Sequence, residues 1–531
     1  MNVISPHILL AIIGGHFLLL VAIAHWSSRN SSNASFFVAN RNAPWWLVGV
    51  GTVGATISGI TFVSVPGAVG GTGANKDFSY MQFVFGTMVG YCITAFVLLP
   101  IYYRMNLVSV YGYLEDRFGP TAQKTGAAFF IIARIVGSAL RLYLLALALQ
   151  KFVLEAFGVP FWLTAVLIPL LIWSYTFRGG TKTVLITDTL QTVLFLICVL
   201  LTLRDLANQF GGGYGKLFAS IWYSPYSQTF FFKSGWGDPN SFFKQFLAGA
   251  LMTTCTTGLD QDLMQKNLSC RDLHQCRKNM LASSTSMLAV NYLFLLLGAG
   301  LYLFAASRGI STPARSDELY PALAFGHLSP SIGIVFMMGL IATTYSTSDS
   351  ALTSLTTSFC IDILGFEHRK RATSESRLNA IRMAVHFGFT LVFIAVVFVF
   401  GALSNEAVLN TLFQAHGFTY GPILGLFAFG LLTRDRVQDR YIGMVAVAAV
   451  ALTWFIDSHT ADWFFGLQLG FLRLALNGGL MFLGLWIIRL QSKSVGQSGC
   501  ARNLARSARE DKSRCINLIQ RLFDMVRRGG T

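Results

Sequence analysis

Apolar runs long enough to cross a lipid bilayer recur from residue 6 to residue 488, separated by short polar gaps. A hydrocarbon core about 30 Å thick takes about 20 apolar residues per helix. Backbone groups in lipid find no water, so runs of this length must bond within themselves as helices. Thirteen spans are predicted, at about 6–26, 45–70, 78–103, 126–155, 160–177, 183–203, 242–264, 281–306, 329–362, 383–402, 407–430, 441–457 and 470–488. The first has no basic leader and no small-residue cleavage site, so a retained helix is expected. Only 12% of the 531 residues are charged, against about 25% in soluble domains.

A net charge of +16 invites a nucleic-acid reading, and its distribution argues against one. With the N-terminus outside, 29 of the 40 lysine and arginine residues fall on inside loops and the tail. That is the bias membrane proteins carry on their cytoplasmic face. Residues 1–490 are expected to form one transmembrane domain, and 491–531 a basic cytoplasmic tail. The longest outside loop, 204–241, holds Trp222, Tyr223, Tyr226 and Phe230. A dip into the interface, a cover on an external entrance and a packed cap all stay open for it. No metal-ligand spacing or nucleophile motif appears, so an enzyme is not expected. A solute sensor acting through a partner is the alternative to a transporter.

Transporters put their sites where helices break near the midplane and free backbone groups to meet ions and solute. Span 45–70, with Gly71 just after it, carries seven glycines among hydroxyl residues. Those glycines serve either close helix packing or an unwound turn at 57–61. Span 242–264 ends with Asp260 and Asp262; carboxylates at depth are costly and mark function. Span 329–362 carries a stripe of hydroxyls at helical spacing, Thr343, Ser346, Thr347, Ser350, Thr353 and Thr357, with Asp349 one turn from Ser346. A lone hydroxyl in a membrane helix bonds back to its own backbone. A stripe with an acid suggests oxygen ligands for a hard cation. Arg134 and Arg141 lie two turns apart in span 126–155 and read as structural partners for acids or carbonyls.

Four stretches resemble the sodium:solute symporter family: FFVANRNAPWWLVGVGTVGATIS (36–58), FRGGTKTVLITDTLQ (177–191), GLDQDLMQKNL (258–268) and YSTSDSALTSLTTSFCIDIL (345–364). They come in family order and cover nearly the whole membrane domain. The resemblance implies an all-α LeuT-like fold: two five-helix repeats of inverted topology, one extra helix before and two after. It implies sodium-coupled import of a small organic solute by alternating access, with Na+ as coupling ion. Its sodium ligands would be the carbonyls of Gly54, Ile57 and Thr343 and the hydroxyls of Ser346 and Thr347. Asp188 would stand behind that site, and Asp349 and Ser350 where some relatives place a second sodium. Candidate solute contacts are Ser58, Thr61, Gln82, Asp260, Gln414 and His416, with Asp262 as a gate. Thr61 stands where sugar-carrying members have glutamine and Asp260 where they have asparagine, so a sugar is not supported. The two acids point toward a cationic or amino-bearing solute. A helix break is expected at Tyr420, Gly421 and Pro422.

Overall fold

The computed structural model describes residues 5–27, 33–233, 235, 237–366, 374–403, 408–463 and 469–490. The basic tail, 491–531, and part of the basic loop 364–382 lie outside the described residues. Most of the described residues are helical; the described strands are a two-residue antiparallel pairing of Arg436–Val437 with Arg489–Leu490.

Each predicted span falls on helix. We number the principal ones α1 Pro6–Ser27, α2 Trp45–Thr56, α3 Gly59–Ala68, α4 Tyr80–Ile93, α5 Pro120–Leu149, α6 Phe161–Gln209, α7 Phe242–Thr253, α8 Gln261–Asn267, α9 Leu273–Ser307, α10 Pro330–Ser358, α11 Glu375–Leu403, α12 Val408–Leu432, α13 Ile442–Trp463 and α14 Arg473–Ile487. Among the described residues nine helices are separately long and apolar enough to cross a bilayer. The bent pair α2–α3 brings this to ten, and Phe161–Phe177 and Arg473–Ile487 are shorter apolar helices. Within α6, Gly180 sits at φ 53°, which joins Phe161–Phe177 to Gly180–Gln209 across a kink. A Cβ there would lie 2.4 Å from the Phe36 ring, so glycine is required twice over.

Burial ranks the helices. The apolar window of α10 is 78% buried, against 22% for α1 and α13. The hydroxyl helix therefore runs through the middle of the bundle, where its polar groups meet protein and not lipid. Gly86 of α4 and Gly249 of α7 bring two backbones together. A Cβ on Gly86 would sit 2.0 Å from the Phe246 carbonyl oxygen, and one on Gly249 2.0 Å from that of Phe83.

The loop 204–241 contains a short helix, Gly213–Trp222, and packs by its aromatic rings onto the helix ends. Phe230 stacks on Phe85, Phe232 packs on Phe242 and Tyr226 on Tyr302. The expected break in α12 does not occur. The helix continues through Pro422, while Gly421 lets Asn477 of α14 approach.

Candidate functional site

Two helices are interrupted beside the hydroxyl helix. The first break separates α2 from α3 at Ile57 and Ser58, with a bend of 57°. The Ile57 amide still donates to Val53, but the extended backbone that follows ends the ladder. An α-helix leaves its last four carbonyls without internal donors. Ser58 caps α3, its Oγ accepting from the Thr61 amide at 3.4 Å. The glycines here allow packing and unwinding together. A Cβ on Gly54 would meet Thr192 Oγ1 at 2.0 Å and Ser346 Oγ at 3.3 Å. One on Gly59 would meet Thr344 Oγ1 at 2.3 Å. The broken turn is thus pressed onto α10 between Thr343 and Ser346.

The second break separates α7 from α8. A π-helical turn, Thr254–Gly258, precedes it; such turns frequently mark functional positions. Asp260 caps α8 by accepting from the Asp262 amide at 2.8 Å.

The hydroxyl stripe divides into two chemistries. Thr343, Thr347, Thr353 and Thr357 donate to carbonyls one turn back on α10. Their oxygen lone pairs stay available, so back-bonding does not bar a cation. Ser346 and Ser350 instead reach across the bundle. Ser346 donates to Asp188 Oδ1 at 2.6 Å, and Ser350 donates to Asp262 Oδ1. Ser346 thus presents its oxygen beside the α2–α3 break.

Asp188 is fully buried, and its second oxygen takes the ammonium of Lys266 at 2.5 Å. Asp349 pairs with neither arginine. Its Oδ2 accepts from Tyr175 at 3.0 Å and Thr187 at 3.3 Å, and its Oδ1 has no partner among the described residues.

The arginines part ways. Arg134 bonds Asp260 at 3.3 Å and Asp262 more closely, while the Tyr420 hydroxyl donates to the far oxygen of Asp260. This cluster joins α5, α8, α10 and α12. Arg141, 7% exposed, has no ion pair or hydrogen bond among the described residues, and its Nε and Nη1 are buried.

A cavity of about 130 Å³ lies against the first break. Ile57, Ser58 and Thr61 line one side, Arg134, Arg141 and His416 another, and Thr253, Thr256 and Thr257 a third. Gly137 leaves room for Arg141 and His416. A Cβ there would lie 3.3 Å from His416 Nε2 and 3.5 Å from Arg141 Nη1.

Ser58, Thr61 and His416 thus meet in one cavity. Gln82 lies elsewhere: its amide donates to the Asn240 carbonyl and accepts from the Phe231 amide, which anchors the outer cap. Gln414 is exposed and does not line the cavity. Asp260 and Asp262 lie beyond the cavity wall, both bonded to Arg134, while two guanidiniums line the cavity itself, so no carboxylate faces a cationic solute there. Arg141 carries the signal that spacing alone underweights, a buried charge in a membrane helix.

The sodium:solute symporter family model matches residues 36–440. The sodium/sialic acid symporter NanT of Aliivibrio fischeri is 26% identical over 470 residues, 86% of this chain and 89% of its own length. Sodium-coupled monocarboxylate transporter 1 of Homo sapiens is 24% identical, over 79% of this chain and 68% of its own. A solved structure of a Na+-coupled sialic acid symporter, substrate-bound and outward-open, superposes with a TM-score of 0.75 at 19% identity. It covers 91% of this chain and 99% of that one.

Proposed function

Because this chain belongs to the sodium:solute symporter family and couples solute to sodium by alternating access, we propose that its solute is a small organic anion held by Arg141. The unpartnered guanidinium beside the cavity carries this reading. A buried charge costs several kcal/mol unless paired, so the site is chemically incomplete without an anion. Arginine is the side chain suited to a planar carboxylate. Both relatives named above have names of carboxylate solutes, a sialic acid and monocarboxylates. Ser58, Thr61 and His416 would supply neutral hydrogen bonds around it.

Sodium, in the same proposal, binds the carbonyls of Gly54, Ile57 and Thr343 with the hydroxyls of Ser346 and Thr347. The pressing of Gly54 and Gly59 onto α10 supports this placement. An ion there ties the broken turn to α10 and fixes Ser58 at the cavity wall. Solute must then tighten sodium by the factor that sodium tightens solute. The Arg134 cluster, with Asp262 on α8, acts as the inner gate. Orientation follows the charge bias, with the N-terminus outside and the tail 491–531 inside.

Vesicles containing the purified chain are expected to accumulate a labelled carboxylate only under an inward sodium gradient. Other carboxylates compete and their primary amides do not. Accumulation with choline in place of sodium would sink the coupling. Thr347→Ala is expected to raise the half-saturating sodium concentration about tenfold, the equivalent of about 1.4 kcal/mol, at unchanged protein level. An unchanged sodium dependence would move the site elsewhere.

A further inference from the structure

We propose that the cavity at Arg141 takes a chloride ion whenever it holds no solute, and that this chloride accompanies the solute-free carrier on its return. The inference rests on the reading of Arg141 as the counter-charge of the solute. It makes net uptake of an anion a trade against outward chloride.

Arg141 is 7% exposed on α5 and lines the cavity. Its Nε and Nη1 have no hydrogen-bond partner among the described residues. The acids near Arg134 do not supply one, because all four of their oxygens are taken. Asp260 accepts from Arg134, the Asp262 amide and Tyr420. Asp262 accepts from Arg134 and Ser350. No carboxylate stands among the residues that line the cavity. The guanidinium therefore needs its partner from solution.

The space and its donors suit a small monovalent anion. At about 130 Å³ the cavity has room for about four waters at their liquid volume, or for a chloride with part of its hydration shell. One guanidinium balances one negative charge. Ser58, Thr61 and His416 line the same space and add O–H and N–H donors.

Alternating access makes the ion matter. In either open state water reaches the guanidinium. Between them the cavity closes on both sides, and a buried charge without a partner is costly. A carrier that brings solute in has its partner with it. A carrier that returns empty does not. Chloride taken up on the inside removes that cost from the return, and solute displaces it on the outside. Exchange of solute for solute never passes through the bare site, so it has no use for chloride.

Binding of ³⁶Cl− to the purified full chain tests the site without knowledge of the solute. The buffer is choline HEPES, whose anion is too large for the cavity. The wild type is expected to bind one chloride per chain, and Arg141→Met none. The melting temperature of the wild type should rise as chloride replaces HEPES, while that of Arg141→Met, with no charge to pair, should not. In vesicles, internal chloride in place of HEPES is expected to speed net uptake of the labelled carboxylate about tenfold and to leave solute-for-solute exchange unchanged. A wild type that binds no ³⁶Cl− would overturn the proposal, and this measurement stands even where Arg141→Met fails to fold. A folded Arg141→Met that still binds it would do the same, as would net uptake indifferent to internal chloride. Carboxylate accumulation by a chain that binds no chloride would sink this inference and leave the solute reading standing. Bound chloride with no carboxylate accumulated would sink the solute reading, and the return step with it.

Discussion

Replacing Arg141 with methionine is expected to abolish sodium-driven carboxylate uptake while making the protein harder to melt. The two effects have one cause. In the solute-free chain the guanidinium is buried with no acid bonded to it, and an unpaired charge destabilises a fold. Methionine keeps the stem volume and removes the charge, so the melting temperature rises. The solute loses its only proposed counter-charge. Truncating one partner of a buried charge pair costs about 2–5 kcal/mol, or about 30-fold and upward in affinity. Arg141→Lys keeps the charge without the planar fork and is expected to fall between. Sodium binding by the variant should stay as in the wild type. Full uptake by Arg141→Met would remove Arg141 from the solute site.

Arg134, two turns earlier on the same helix, is expected to behave in the opposite sense. Arg134→Met leaves Asp260 and Asp262 buried with no cation, and removing one member of a buried pair costs about 3–5 kcal/mol. The melting temperature of the purified protein should drop sharply. Adding Asp260→Asn and Asp262→Asn to that variant should recover most of the loss, because the amides carry no charge to neutralise. A single variant that melts like the wild type would mean the cluster contributes little. A triple variant no better than the single would mean that Arg134 acts through packing. The pair of arginines thus separates by the sign of one measurement, which spacing two turns apart on one helix does not reveal.

The contrast shows which parts of this molecule are readable from its order of residues. Apolar length fixes the helices, since lipid leaves a chain no other way to satisfy its backbone. The two breaks were legible because glycine density and a capping acid are local signals: Ser58 caps α3 and Asp260 caps α8. The partners of buried charges were not. Lys266 lies 78 residues from Asp188, and Arg134 lies 126 from Asp260, so no local pattern pairs them. The hydroxyl stripe was half legible. Its spacing marks a polar face, but whether Ser346 turns to Asp188 or Thr347 to its own carbonyl depends on what the neighbouring helix presents. Gln82 misled for the same reason: a buried glutamine reads as a solute contact until the outer cap that it anchors comes into view. Pro422 misled differently, because α14 packs close enough to carry the helix past it.

The contact at Gly86 and Gly249 has a mechanical consequence. Two backbones in touch at both positions leave no slack for sliding, and no side chain between them to act as a cushion. The α7 half of the second broken helix therefore cannot swing alone and must carry α4 with it. The close packing runs on into the π-helical turn, where a Cβ on Gly90 of α4 would lie 2.9 Å from the Thr254 amide, so what bends is the step into Asp260. A rocking motion that opens the cavity then has a long stiff arm and a short compliant joint, and the joint ends on the acid that Arg134 holds.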